Sequence, residues 1–145
     1  MPEQYNSLEF PVVDNFSPEV PIELYSEFGN SNVKVVAIVD TGFTGFLSVP
    51  MAVGMKANLR LLSMGYYTLA DGRQVKKIEC VGKIRFGGKD IVGIISLSET
   101  SDDCLLGMQF LEKLEMDFTV SVKNKKAIFT DFDTKSENKD NWMPI

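Results

Sequence analysis

The sequence predicts an all-β domain that closes, or nearly closes, on itself. Three observations carry that expectation. Short segments of period-two apolar alternation recur along most of the chain, turn residues punctuate them, and helical spacing is convincing only from Met108 to Leu114. No internal repeat is visible.

The elements follow in order. A polar start carries Pro11 and Pro18, and residues 1–18 read as an N-terminal extension ahead of a domain spanning 19–132. Val20, Ile22 and Leu24 then alternate with Pro21, Glu23 and Tyr25, the signature of a half-buried strand. A turn at Gly29 to Asn32 leads into the β-branched run Val33 to Val39, which reads as a strand covered on both faces. The run stops at Asp40-Thr41-Gly42. Pro50 permits a short helical turn through about Ala57, weakened by Gly54.

Strand patterning returns at Tyr66 to Leu69, followed by an Asp71-Gly72 hairpin signal and a long segment whose Ile78, Cys80, Ile84 and Phe86 share one face. Together these predict a protruding hairpin. Gly87-Gly88 offers a second tight turn before the mostly apolar strand Ile91 to Leu97. Glu99 to Asp103 forms a loop before Leu105-Leu106-Gly107. Met108, Phe110, Leu111 and Leu114 then form a helical stripe about two turns long, read as core. Met116, Phe118, Val120 and Val122 alternate with polar residues, and Asn124-Lys125 turns the chain into a last strand from Ala127 to Phe132. Lys123, Lys125 and Lys126 read as a solvated basic turn. Residues 133–145, charged until Trp142, read as a flexible C-terminal tail.

Composition narrows the chemistry. The 145 residues suit one domain with a sizeable core, and a 44% hydrophobic, 24% charged balance is ordinary globular usage. Fifteen basic against twenty acidic residues give a net charge of −5, so no basic footprint for nucleic acid or an anionic membrane is expected. The chain contains no histidine. That removes Ser-His-Asp and Cys-His nucleophile systems, histidine metal sites and imidazole proton transfer together. The acidic start Met1 to Ser7 is unlike a signal peptide, and runs such as Val35 to Val39 fall far short of the ~18–20 apolar residues of a membrane span. A cytoplasmic protein is expected, with Cys80 and Cys104 reduced and packed.

The informative segment is Ala37-Ile38-Val39-Asp40-Thr41-Gly42-Phe43-Thr44-Gly45, an apolar strand that delivers a carboxylate into a glycine-rich turn. The triplet Asp40-Thr41-Gly42 alone also reads as a plain turn, because Asp bonds nearby amides and Gly adopts positive φ freely. Its context is more specific. The hairpin tipped by Ala70-Asp71-Gly72 follows it, and then Leu105-Leu106-Gly107 runs into the helix. This order resembles the retropepsin-like (clan AA) aspartic proteases, and most closely the single-domain prokaryotic members carrying D-T-G-x-T-G. The resemblance covers roughly Val20 to Phe132.

The resemblance implies a closed acid-protease barrel with a flap hairpin and one short C-terminal helix, acting as a homodimeric aspartic endopeptidase on extended peptide or protein substrates, without metal or cofactor. Asp40 would be the catalytic carboxylate, paired with Asp40 of a second subunit. Thr41 would bridge to the opposite turn, Gly42 would admit the peptide backbone, and Gly107 would give the Asp40 turn room. Ala70, Asp71 and Gly72 would tip the flap, with Tyr66 or Tyr67 reaching the pocket from its base. Asp71 also reads as a structural hairpin residue, and the two tyrosines equally as flap packing.

Two departures stand out. Phe43 and Thr44 occupy positions where retroviral members usually carry Ala and Asp. Thr44 still offers a hydroxyl to a carboxylate or backbone group, whereas Phe43 either narrows the site or fills a hydrophobic pocket of its own. The alternative function is a catalytically inactive dimerisation or peptide-binding module on the same barrel. A carboxylate-pair glycosidase fits poorly, since it needs two carboxylates from one chain.

Overall fold

The computed structural model describes residues 5–12, 17–29 and 31–132. The proposed tail from Asp133 and position 30 of the predicted Gly29 to Asn32 turn lie outside them. Ten strands and two short helices follow one another: β1 (Tyr5–Pro11), β2 (Glu19–Ser26), β3 (Asn32–Val39), β4 (Leu47–Pro50), α1 (Met51–Lys56), β5 (Arg60–Thr68), β6 (Gln74–Phe86), β7 (Lys89–Ser98), β8 (Cys104–Leu106), α2 (Met108–Leu114), β9 (Asp117–Ser121) and β10 (Lys126–Phe132).

Six strands close into a barrel. The order β2-β3-β8-β4-β7-β6 returns on itself where β6 pairs with β2, from Glu23 opposite Arg85 to Ser26 opposite Gly82. Closure gives each barrel strand a partner on both sides over at least part of its length and leaves β5 paired with β6 outside the ring. Alternation decides which side chains enter. Val20, Ile22 and Leu24 of β2 point inward, as do Ile78, Cys80, Ile84 and Phe86 of β6. Gly87 and Gly88 make the tight β6–β7 turn, both with positive φ.

Both cysteines are free and buried, and burial pushes their thiols above the usual range, with the nearby Asp103 charge adding at Cys104. Such thiols are held protonated and unreactive.

Four readings of the sequence change. The run Val33 to Val39 is covered on one face only: Ala37 and Val39 are buried, but Val36 is 60% exposed. It is a barrel wall, and its outward β-branched residue serves extended backbone rather than core. Secondly, β5 begins at Arg60, six residues before its alternation becomes legible, because every one of its residues is exposed. Pairing with β6, through a register shift between Leu61 and Ser63, makes this strand without burial.

Third, the segment set apart at the N-terminus contains β1, which pairs with β10 from Tyr5 opposite Phe132 to Pro11 opposite Lys126. Lastly, Met108 is 44% exposed, whereas Phe110, Leu111 and Leu114 are buried. It begins α2 on the side away from the core. The four-residue β4 was too short to leave a periodic trace, although Leu47 and Val49 are fully buried.

The second sheet, β1-β10-β9, is fastened to the barrel by phenylalanines. Phe129 of β10 lies 5.0 Å from Phe86, 6.0 Å from Phe10 and 4.9 Å from Phe118, measured between ring centroids. Phe86 continues the chain to Phe110 of α2 at 5.6 Å, and Phe110 to Phe46 at 6.0 Å. Edge-on and tilted pairs at these separations add to the area buried.

One backbone clamp positions the loop between β3 and β4. Gly107 N–H donates to Phe46 O at 3.1 Å, Met108 N–H to Phe43 O at 2.8 Å and Gln109 N–H to Gly45 O at 3.1 Å. The unpaired donors opening α2 are therefore capped by carbonyls of that loop, without a side-chain cap. The approach needs glycine: a Cβ on Gly107 would overlap Gly45 O and stand 2.6 Å from Phe43 O, both backbone atoms that cannot rotate away. Gly54 of α1 meets a similar demand from the side chain of Leu97, which explains a glycine inside a helix.

Two substitutions test this packing. Phe129→Ala removes the ring shared by both sheets and should lower unfolding stability by roughly 3–5 kcal/mol in denaturant titration. Gly107→Ala should cost at least about 1–3 kcal/mol by forcing the clamp apart, and wild-type stability in that variant would show the contact to be loose.

Candidate active site

β3 carries the chain to Asp40 while paired in parallel with β8, Val39 opposite Leu106. The ladder runs one bond further, because Asp40 N–H donates to Leu106 O at 2.9 Å. The backbone then turns: Phe43 N–H donates to Asp40 O at 3.1 Å, and Gly42 N–H donates to the carboxylate Oδ1 of Asp40 at 2.9 Å. Asp40 is thus held at both ends, its main chain by the barrel and one carboxylate oxygen by the turn. The residue is half-buried, whereas Thr41, Gly42 and Thr44 are exposed.

Phe43 to Phe46 continue from this turn into the clamp on Gly107. Leu106 beneath it is fully buried and Leu105 half-buried. The structure therefore brings Asp40, Gly42 and Gly107 into one hydrogen-bonded unit. The Phe43 ring folds back over Gly45, where a Cβ would stand 2.6 Å from its Cζ.

Two concavities flank the unit. The first, about 580 Å³, lies between the β5–β6 hairpin and β7, with Phe43 and Tyr67 among its walls and Gln74 to Ile78 and Ser96 to Thr100 contributing the rest with Ser48. Phe43 thus lines an open cavity as well as covering Gly45. The second, about 560 Å³, is lined by Thr41, Met108, Leu111, Glu112, Met116, Asp117 and Phe118. Tyr67 borders the first, while Tyr66, on the opposite face of β5, is 70% exposed.

Ala70, Asp71, Gly72 and Thr44 line neither concavity. At the hairpin tip Asp71 Oδ1 accepts from Arg73 N–H at 3.0 Å and its Oδ2 from Arg73 Nε at 2.6 Å, while Gly72 N–H donates to Leu69 O at 2.9 Å. Gly72 has φ +87°. These bonds occupy the Asp71 carboxylate within its own turn and account for the residue structurally.

Sequence reasoning missed Ser48, Gln74, Ser96, Ser98 and Thr100, which line the first cavity together with the charged Lys76, Lys77 and Glu99. They arrive from three separate segments. Only the alternation of Ser96 and Ser98 along β7 hinted at a shared face. Among the described residues no three of His, Cys, Asp and Glu cluster as metal ligands, and no helix is long and apolar enough to cross a membrane.

No protein-family model and no curated protein sequence matches the chain. Solved structures do. A retropepsin-like aspartic protease from Rickettsia conorii superposes with a TM-score of 0.60 at 18% identity, over 91% of this chain and 96% of its own. EIAV protease, complexed with the inhibitor HBY-793, superposes with a TM-score of 0.54 at 14% identity, over 70% of this chain and 90% of its own. At such identities the likeness is one of backbone. With its six-stranded barrel closed and the Asp40 loop seated on the start of α2, this chain has the retropepsin-like fold.

Proposed function

We propose that the protein is an aspartic endopeptidase in which Asp40 of two copies forms one catalytic pair. The observation that carries this reading is the setting of Asp40: a half-buried carboxylate at the end of a barrel strand, fixed by Gly42 N–H at 2.9 Å, in a chain that has the retropepsin-like fold and no histidine. One chain supplies one such carboxylate. A second copy is required to complete the pair.

Two carboxylates a few ångströms apart share a single proton, because ionising both is costly, and their titration belongs to the pair. The ionised member takes a proton from water as the water oxygen bonds to the peptide carbonyl carbon. Its protonated mate gives a proton to the carbonyl oxygen. The resulting gem-diol collapses when one hydroxyl returns its proton to a carboxylate and the departing nitrogen receives one, breaking the C–N bond. No covalent enzyme intermediate forms.

In this reading the β5–β6 hairpin is the flap. An extended peptide lies under it as an added strand, main chain hydrogen-bonded and alternate side chains in pockets, and closure excludes water. The cavity walled by Phe43 and Tyr67 suits one such side chain. Thr41, exposed beside Asp40, would bridge to the other copy.

A second reading, a silent peptide-binding or dimerisation module, draws support from the bulk of Phe43 at the cavity wall. A peptide-library digest between about pH 4 and 7 separates the two. The protease reading expects cleavage by the wild-type dimer and a loss of at least about a hundredfold in Asp40→Asn, with circular dichroism and sedimentation unchanged. Turnover retained by Asp40→Asn would remove Asp40 from the chemistry, and a verified dimer that cuts nothing would favour the silent module.

A further inference from the structure

We propose that the cavity between the β5–β6 hairpin and β7 selects a glutamate side chain of an extended peptide, with Lys76 and Lys77 as the residues that confer the selection. The proposal rests on the reading that a peptide lies under that hairpin, and it names the side chain the site prefers.

In an extended peptide successive side chains point to opposite faces, so one enters a given cavity while its neighbours turn away. What lines the cavity then decides which one is accepted. Phe43, Tyr67, Val75, Ile78 and Leu97 supply apolar surface. Among them stand the hydroxyl residues Ser48, Ser96, Ser98 and Thr100, the amide of Gln74, and three charged residues, Lys76, Lys77 and Glu99. Two of the three charges are positive.

Both ammonium groups have donors to spare. Lys76 Nζ stands 3.9 Å from Glu99 Oε1, and Lys77 Nζ stands 4.0 Å from Glu79 Oε2, separations too long for a hydrogen bond. Each ammonium carries three N–H donors. Glu79 does not line the cavity, and its Oε1 already accepts from Ser63 Oγ at 3.1 Å. Ser98 Oγ accepts from the N–H groups of Thr100 at 3.3 Å and Ser101 at 3.0 Å, which leaves its own O–H to donate. A carboxylate, an acceptor at every lone pair, answers several such donors at once. A basic side chain would instead face the two lysines.

The hairpin tip does not reverse this balance. Asp71 has both carboxylate oxygens engaged by Arg73 and lines no part of the cavity. Apolar walls favour the longer acid, because glutamate has one more methylene than aspartate to lay against them before its charge reaches the ammonium groups. Lys76 is half-buried and Lys77 exposed, so solvent and salt screen the attraction and the selection is moderate in size.

The test separates binding from cleavage. The full-length Asp40→Asn variant is equilibrated with a random library of peptides about ten residues long, acetylated and amidated so that side chains hold the only carboxylates, and ultrafiltration isolates the bound fraction for mass spectrometry. Glutamate should be enriched roughly threefold over its input share, glutamine should not, and added salt should reduce the enrichment. Adding Lys76→Gln and Lys77→Gln together should abolish it, and adding Glu99→Gln should increase it. Lys123→Gln, in the β9–β10 turn, should leave it unchanged, with circular dichroism the same in all variants. No peptide binding, equal enrichment of glutamine, enrichment of basic or apolar residues, or an effect of Lys123→Gln equal to that of the cavity lysines would overturn the proposal. So would binding that appears only in a library with free C-termini, since the ligand would then be a chain end. Digestion of the same library by the wild-type protein decides the other reading. Cleavage without glutamate at a fixed distance from the cut bond removes the selection and leaves the protease, whereas glutamate-selective binding without cleavage keeps the cavity's role and removes the protease.

Discussion

The structure depends on a contact between two stretches of main chain. Carbonyls of Phe43, Gly45 and Phe46 accept the N–H groups of Met108, Gln109 and Gly107, so the loop after Asp40 and the start of α2 are built as one object. Either partner alone would leave polar backbone groups unpaired near the core, at a cost of about 1–3 kcal/mol each. Gly107 makes the contact sterically feasible, since any side chain there would meet the backbone carbonyls of Gly45 and Phe43 as well as the Phe43 ring. Because α2 is anchored by Phe110, Leu111 and Leu114, the clamp passes the rigidity of the core to the Asp40 turn.

Barrel closure has a complementary consequence. It joins six strands into one ring and leaves two elements outside: the β5–β6 hairpin, whose first strand is exposed along its whole length, and the β1-β10-β9 sheet, held by the Phe129 ring cluster. The Asp40 turn lies where these parts meet the barrel. One flanking concavity opens toward the hairpin and the other toward β9. The proposed chemistry would need a rigid carboxylate there, with room beside it for a peptide strand and for a second copy.

Legibility tracked burial. The strands around Ile22, Ile84 and Ile95 were readable because each alternates between a packed and a wet face, and the α2 stripe because three of its members enter the core. Where a strand is made by pairing alone, as in Arg60 to Met64 of β5, no periodic signal exists to read. β1 escaped for a related reason. Its Leu8 and Phe10 pack on the core, but charged and polar neighbours and Pro11 disguise the strand.

The sequence by itself determined the all-β class, the arrival of Asp40 at a strand end, the turns at Gly72 and Gly87-Gly88 and the need for carboxylate or hydroxyl chemistry in a chain without histidine. These are local matters, decided by side-chain alternation, backbone freedom and the presence of functional groups. The tertiary structure alone decided that Gly107 receives the Phe43 to Phe46 loop, that β1 pairs with β10, and that Met108 and Val122 are exposed in the single chain. Those outcomes depend on which distant segments share a surface, and that is fixed only when the barrel closes and excludes every other pairing.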